Sequence, residues 1–337
     1  MNSTKKVFFL TICSLTVVLS SNWYGLFNKP TIVNDDCDNG YISLVDFEEG
    51  FGEHSKATFF PNDDALISTD DSFVDEHTSI ISIIKDSGRM LFSAHRGAEG
   101  QAPYGSYPSY LMACEQGWDM IQIARARQSA DGTWYCLHDP TVDAQTNGTG
   151  YISELTDDYI NTIYQDDGVN VSSYSIEEMR LPKLETIIEL ALTNGVFVSI
   201  RMGSLPEIIN SDKDFEAWNS FISLCSKYDP YKMMFSGTIE QVDILKNLTD
   251  NWHGQIYVTT DSVSQSLQML IDRGYSNCSI LASETFVSEN IIEEIHSADY
   301  LYVSTQSKDR TLEDFRNLEK AGCDIVQTGI SSINSLV

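Results

Sequence analysis

The chain has 337 residues and a formal net charge of −28, from 49 acidic and 21 basic side chains. Such a surface repels phosphate backbones and anionic lipids, which argues against nucleic acid or an anionic membrane surface as a partner. With 42% hydrophobic residues, the chain can fill the core of one domain of ~250 residues and still leave an N-terminal extension.

The N-terminus carries the pattern of a targeting segment. Lys5 and Lys6 precede the apolar run 7–19, and small serines follow it. This order is typical of a secretory signal peptide, but apolar character continues weakly to Phe27, which gives enough length to span a bilayer. Residues 1–28 are therefore predicted to be either a cleaved signal peptide or a retained membrane anchor. Both alternatives predict an extracellular or cell-surface protein.

The next segment, 29–88, is rich in paired acidic residues and lacks periodicity, so we predict an acidic linker or extension. Beyond it, short apolar runs alternate with amphipathic stretches. The predicted strands are 90–94, 120–124, 196–201, 233–236, 255–259, 279–282, 300–304 and 324–327. The predicted helices are 76–85, 108–116, 156–165, 183–193, 214–227, 238–248, 262–273, 288–297 and 311–321. Eight strands that alternate with helices predict an α/β fold of the (β/α)8 TIM-barrel type over residues 89–332, with a C-terminal tail at 333–337.

Six of the seven cysteines lie after the N-terminal segment, an even number that would permit disulfides. No C-x-x-C pair or zinc-site spacing occurs. Cys114, Cys136 and Cys225 fall within apolar strand or helix patterns, so we interpret the cysteines as buried free thiols.

Two histidines follow predicted extended segments. His95 ends the first strand and begins the run His95-Arg96-Gly97, and His138 follows the extended piece 133–137 in the pair His138-Asp139. Ligands bind at the carboxyl ends of parallel strands. Two histidines placed there can act as general acid and general base.

These motifs, together with the turn Asp131-Gly132, the run 181–185 and the run 322–328, resemble the glycerophosphodiester phosphodiesterase family over about residues 89–332. The resemblance implies a phospholipase C-like phosphodiesterase barrel that hydrolyses glycerophosphodiesters with a divalent metal. It also implies that His95 and His138 are the catalytic acid and base.

The chain departs from the family at the metal ligands. The family has Glu-x-Asp on the second strand, where this chain has Gln122 and Ala124, and Glu-x-Lys on the third, where it has Ser199 and Arg201. Ca²⁺ and Mg²⁺ need several oxygen ligands, mostly carboxylates. Because Gln and Ser offer only neutral oxygens and Ala offers none, we expect the family's Ca²⁺ or Mg²⁺ site to be lost and no cofactor to be needed.

Arg96 and Arg201 are the candidates for binding phosphate instead, because a guanidinium can grip phosphate bidentately. By strand alternation Ser199 and Arg201 share the face that the family turns toward the pocket. Arg125 and Arg127 are out of phase on the second strand and are expected to leave the barrel, unless a bulge re-aims Arg125. An alternative for Arg201 is an ion pair with one of the many carboxylates of the chain.

Two functions remain open at this point. The first is metal-independent hydrolysis of a glycerophosphodiester or another small phosphate ester by His95 and His138. The second is an inactive barrel that binds a ligand or partner at the cell surface. The retained histidines favour the first. The second is favoured by the lost ligands, by Tyr104 where the family has Glu, and by Gly329 where it has Asp.

Overall fold

The structure is a computed structural model, and it describes residues 6–12, 15–21, 80–249, 252–258, 263–282, 289–306 and 311–329. Strands β1 (Lys6–Ile12) and β2 (Leu15–Ser21) form an antiparallel hairpin. Within these ranges no helix has both the length and the apolar character needed to cross a membrane. Residues 29–79 of the predicted acidic extension 29–88 and the tail 333–337 lie outside them, and the signal peptide or anchor at 1–28 remains a prediction.

The remaining strands and helices alternate along the chain. In order they are α1 (Ile80–Asp86), β3 (Leu91–His95), α2 (Tyr107–Glu115), β4 (Met120–Ile123), β5 (Ala126–Gln128), β6 (Trp134–Cys136), α3 (Asp157–Ile160), α4 (Leu184–Thr193), β7 (Phe197–Arg201), α5 (Asp212–Cys225), β8 (Met233–Gly237), α6 (Ile239–Leu248), β9 (His253–Val258), α7 (Val263–Asp272), β10 (Cys278–Ala282), α8 (Glu289–Ser297), β11 (Leu301–Gln306), α9 (Leu312–Lys320) and β12 (Ile325–Thr328). Short 3-10 turns lie at Ile152–Glu154, Val171–Ser173 and Pro230–Lys232.

Eight of these strands form one closed parallel barrel, in the order β3, β4, β7, β8, β9, β10, β11, β12 and back to β3. The predicted TIM barrel is thereby confirmed. Each helix after a barrel strand lets the next strand run parallel to it, as a βαβ crossover requires. The carboxyl ends of all eight strands therefore meet at one mouth.

The amino-terminal end of the barrel is filled by apolar side chains. Leu91, Met120, Met234 and Ile325 pack there with other inward-facing residues and with two isoleucines of α1. Because successive strand residues point to opposite faces, the next inward positions lie nearer the mouth. These positions carry polar residues, so the apolar plug closes one end and leaves the polar interior open toward the other.

Two local predictions need correction. The second strand does not continue past Ile123, because the chain leaves the barrel and forms the small antiparallel hairpin β5–β6, with Ala126 opposite Cys136. The helix predicted over 156–165 is only the single turn α3. Its first residue, Asp157, accepts hydrogen bonds from the hydroxyls of Ser129 and Thr133 in the loop that joins β5 and β6, which fixes the chain there.

The described cysteines are free and buried, as the sequence predicts: Cys114, Cys136, Cys225, Cys278 and Cys323. Cys13 and Cys37 lie outside the described residues. Burial raises the pKa of the Cys114 and Cys278 thiols to about 11. No disulfide therefore contributes to the part of the barrel that the structure describes.

Candidate active site

His95 is the last residue of β3, and the chain turns sharply after it. Arg96 and Gly97 both have positive φ values, of 57° and 81°. A Cβ atom at position 97 would lie 2.7 Å from the carbonyl carbon of Ser109 in α2. The Arg96 backbone N–H donates to the carbonyl oxygen of Gln122 on the neighbouring strand, at 3.1 Å. Glycine is thus required by the turn that places His95 and Arg96 at the mouth.

A carboxylate lies beside His95. Glu99 Oε1 is 3.0 Å from His95 Nδ1, and both side chains are about three-quarters buried, with exposed fractions of 21% and 24%. Sequence reasoning missed this residue. The only available signal was its spacing of four residues from His95 in a loop, where no regular geometry predicts a contact.

His138 has a similar partner. Its Nδ1 lies 2.9 Å from Asp139 Oδ1, while its backbone N–H donates to Gln145 Oε1 at 2.9 Å. Burial lowers the pKa of His138, and the positive charge of Arg96 lowers it further. His138 lies at the same mouth of the barrel as His95, because the Arg127 guanidinium donates both to the His138 carbonyl oxygen and to that of Gly203, just beyond the carboxyl end of β7.

Arg201 ends β7 and points into the same region. Its guanidinium carbon lies 4.6 Å from the centre of the Tyr257 ring on β9, and no carboxylate pairs with it among the described residues. Burial lowers the pKa of Arg201, and the charges of Arg125 and Arg96 lower it further. Within the described ranges, the ion pair considered as an alternative for Arg201 is not formed.

Arg125 joins this cationic cluster, contrary to the expectation that it leaves the barrel. Strand β4 ends before Arg125, and the Arg125 side chain packs against the backbone of Gly203. A Cβ atom added at Gly203 would lie 2.7 Å from Arg125 Cβ. Gly203 follows Arg201 closely in sequence, so the Arg125 side chain runs beside the end of β7, and its charge lowers the pKa of Arg201. Arg125 also acts on the pKa of His138. We call Arg96, Arg125 and Arg201 the arginine cluster.

Arg127 has a different role. Its guanidinium donates to the carbonyl oxygen of His138 at 2.9 Å and to that of Gly203 at 3.3 Å. Burial, reinforced by the charge of Arg125, lowers its pKa to about 10. Arg127 thus ties the His138 loop to the segment that follows β7, and it is mostly buried beneath them.

The residues at the positions of the family's metal ligands offer few oxygen atoms to a cation. Gln122 is buried, and its Oε1 accepts from the Arg96 backbone N–H at 3.3 Å. Ser199 is fully buried, and the side chain of Ala124 has no atom that could bind a cation. No cluster of three or more His, Cys, Asp or Glu side chains suited to a metal occurs in the described part of the chain. A neutral amide and a hydroxyl beside the arginine cluster do not fit Ca²⁺ or Mg²⁺.

Below the mouth, the barrel interior is polar. Arg201 is followed around the barrel by Ser236, Gln255 and Ser279, each beside the next on adjacent strands. The side-chain oxygens of these three residues and of Ser199 are buried and have no hydrogen-bond partner within the described ranges. Buried polar groups normally need partners, so this interior suits a polar ligand or ordered water.

Comparison with known proteins agrees with the fold. A phosphodiesterase from Oleispira antarctica, solved with the product sn-glycerol-3-phosphate, superimposes with a TM-score of 0.60 at 20% identity, over 74% of this chain and 98% of its own. A glycerophosphodiester phosphodiesterase from Thermotoga maritima gives 0.56 at 14% identity, over 73% of this chain and 96% of its own. At such identities these structures support the barrel fold alone.

Sequence relatives match shorter segments. A glycerophosphodiester phosphodiesterase from Caldanaerobacter subterraneus is 30% identical over 116 residues, which is 34% of this chain and 46% of the relative. The chain thus spans less than half of that relative. The sequence model of the Glycerophosphoryl diester phosphodiesterase family, however, matches residues 95–329, from His95 to the residue after the last strand. The chain therefore belongs to the glycerophosphodiester phosphodiesterase family.

Proposed function

We propose that the protein hydrolyses glycerophosphodiesters to glycerol phosphate and an alcohol, and that it does so without a divalent metal. The observation that carries this proposal is the pairing of two carboxylate-bound imidazoles, His95 and His138, with the arginine cluster at one barrel mouth. The substrate class follows from the relatives' activity and from the glycerol phosphate bound by the Oleispira enzyme.

In this proposal His138 is the general base. A base must be unprotonated at the working pH, and burial and Arg96 lower the pKa of His138 below its ordinary value. It takes a proton from the attacking water as the new O–P bond forms. His95, which enters the step as an imidazolium with both ring nitrogens protonated, then donates the Nε2 proton to the alkoxide oxygen as the bond from phosphorus to the alcohol breaks. The products are a phosphate monoester and the free alcohol.

The arginine cluster supplies the positive charge that the family resemblance would assign to a divalent metal. Negative charge accumulates on the non-bridging oxygens as water adds to phosphorus, and fixed donors aimed at it stabilise the transition state. Arg96 and Arg201 are the proposed phosphate ligands, and Arg125 adds a third charge nearby. With no carboxylate paired to Arg201 in the described ranges, a bound phosphate would neutralise a charge that is costly to bury.

The first test is hydrolysis with and without chelator. The purified full-length chain should release glycerol phosphate from glycerophosphocholine, glycerophosphoethanolamine or glycerophosphoglycerol, at the same rate in EDTA as in millimolar Ca²⁺ or Mg²⁺. Neither metal should raise the melting temperature. Activity that EDTA abolishes and Ca²⁺ restores would show that the metal site has been misjudged.

An inactive ligand-binding barrel is the competing outcome. It is favoured by the loss of the acidic ligands at Gln122, Ala124 and Ser199. It would be established if none of the three diesters were cleaved while phosphate still bound to the folded protein. In that case the arginine cluster would be a recognition site and the histidines part of it.

The pH dependence of kcat/KM provides a second test. Because burial and the charge of Arg96 lower the pKa of His138, the acidic limb of the profile, where His138 becomes protonated, should lie below the pH range usual for a histidine. Arg96→Met removes a charge that lowers the pKa, so this acidic limb should move to higher pH. Asp139→Asn removes a charge that raises it, so the limb should move to lower pH. Shifts in the same direction would exclude His138 as the titrating base.

A further inference from the structure

The side chain of Glu99 lies between His95 and the end of the last barrel strand. Its Oε1 is 3.0 Å from His95 Nδ1, and Gly329, the residue after β12, also lies against it. A Cβ atom at position 329 would overlap Glu99 Oε1 and lie 2.7 Å from Glu99 Cδ. The carboxylate therefore occupies the space into which any larger residue at position 329 would project.

The backbone does not require glycine at this position. Gly329 is not among the glycines with positive φ, so its conformation is open to ordinary L-residues. The constraint comes instead from the Glu99 carboxylate. By contrast, Gly97 is fixed both by its φ of 81° and by the closeness of Ser109. The requirement at Gly329 thus links Gly329 to Glu99, which is far away in sequence and whose carboxylate contacts His95.

The contact also fixes which nitrogen of His95 carries the proton. In a neutral imidazole one nitrogen donates and the other accepts, and the hydrogen bond made by one decides the state of the other. A carboxylate can only accept, so Nδ1 must donate to Glu99. Nε2 is then left for proton exchange, and it has no hydrogen-bond partner within the described ranges. Asp139 does the same for His138.

We propose that Glu99 is a positioning residue that holds His95 with Nδ1 protonated and Nε2 directed to the substrate, and that the missing side chain at Gly329 allows it to do so. Only the effect of Glu99 on catalysis rests on the proposed function. The arrangement of Glu99, Gly329 and His95 can be tested without any substrate.

The test is ¹⁵N NMR of histidine-labelled full-length protein above the titration range, with the His95 signals identified by their loss in His95→Gln. The wild-type protein should show the Nδ1–H tautomer at His95. Glu99→Ala should convert it to the Nε2–H form, while Glu313→Ala, which removes an exposed carboxylate on α9, should change nothing. Retention of the Nδ1–H form in Glu99→Ala would overturn the proposal.

Gly329→Ala provides an independent variant that keeps the carboxylate. The overlap is with the far end of a flexible side chain, so the fold should survive while Glu99 swings away from His95. The tautomer should then change as in Glu99→Ala, and adding Gly329→Ala to Glu99→Ala should have no further effect. Gly329→Ala with an unchanged His95 signal would refute the link between the two positions.

Activity separates this inference from the proposed function. If the chain is a hydrolase, Glu99→Ala and Gly329→Ala should each lower kcat on the order of 10²-fold with KM little changed, because misplacing a reacting group by about 1 Å has that effect. A normal kcat in variants whose tautomer has changed would refute a positioning role. An inactive wild-type protein with the expected tautomer changes would refute only the hydrolase.

Discussion

His138→Gln is expected to lower kcat for glycerophosphodiester hydrolysis by about 10²–10⁴-fold, the usual contribution of general acid–base catalysis. Gln keeps a polar side chain of similar size but cannot take up a proton at neutral pH. The backbone contacts of residue 138 with Gln145 and Arg127 do not involve the imidazole, so the loop should keep its position. KM should change little, and the melting temperature should stay near that of the wild-type protein.

His296→Gln is the matched control. His296, on α8, also contacts a carboxylate, with its Nε2 2.8 Å from Asp324 Oδ2. Asp324 immediately precedes β12, so this pair lies at the barrel end opposite the mouth. The same chemical change there should leave kcat intact. A His138→Gln variant with near-normal kcat would remove the catalytic base from the proposed mechanism, whatever its effect on stability.

Arg201→Met is expected to abolish most of the stabilisation that phosphate gives the wild-type protein. An anion present at 100 times its dissociation constant stabilises the folded state by ~2.7 kcal/mol, which corresponds to several degrees of melting temperature for a domain of this size. Phosphate, sulfate and glycerol phosphate should each raise the wild-type melting temperature. Without added anion, the Met variant should be no less stable, because within the described ranges the guanidinium of Arg201 is buried without a carboxylate partner, which is itself unfavourable.

Arg316→Met serves as the control for Arg201. Arg316 is exposed on α9 and pairs weakly with Glu313 at 4.0 Å, so its loss changes the net charge equally without touching the mouth. This variant should keep the full response to phosphate. An Arg201→Met protein that gains as much from phosphate as the wild type, or a wild type that gains nothing, would exclude the arginine cluster as an anion site.

The barrel could be predicted because its signals are local. Apolar runs such as 196–201 are closed by turn residues and separated by amphipathic helices, and each signal can be read within one short window. The end of β4 could not be read in this way. The residues after Ile123 remain compatible with a strand, and only pairing with β6 shows that they form a separate hairpin.

The placement of a candidate site residue can be predicted where the residue ends a strand, and it is missed where it depends on contacts between distant parts of the chain. His95 and Arg201 end β3 and β7, so their placement follows from the strand pattern. The position of Arg125 depends on the lack of a side chain at Gly203, and that of Glu99 on Gly329. Neither dependence has a periodicity or spacing that a single sequence reveals.

The buried thiols offer a view of how the barrel moves. The thiolate is the form that reacts with alkylating reagents, and here it is suppressed by burial, so a reagent can act only when the surrounding structure opens. Such openings differ in free energy from one region of a protein to another. The thiols sample separate sectors: Cys114 in α2, Cys136 in β6, Cys225 in α5, Cys278 in β10 and Cys323 before β12. The rate at which each thiol is alkylated therefore reports how often the structure around that thiol opens, and no label has to be introduced.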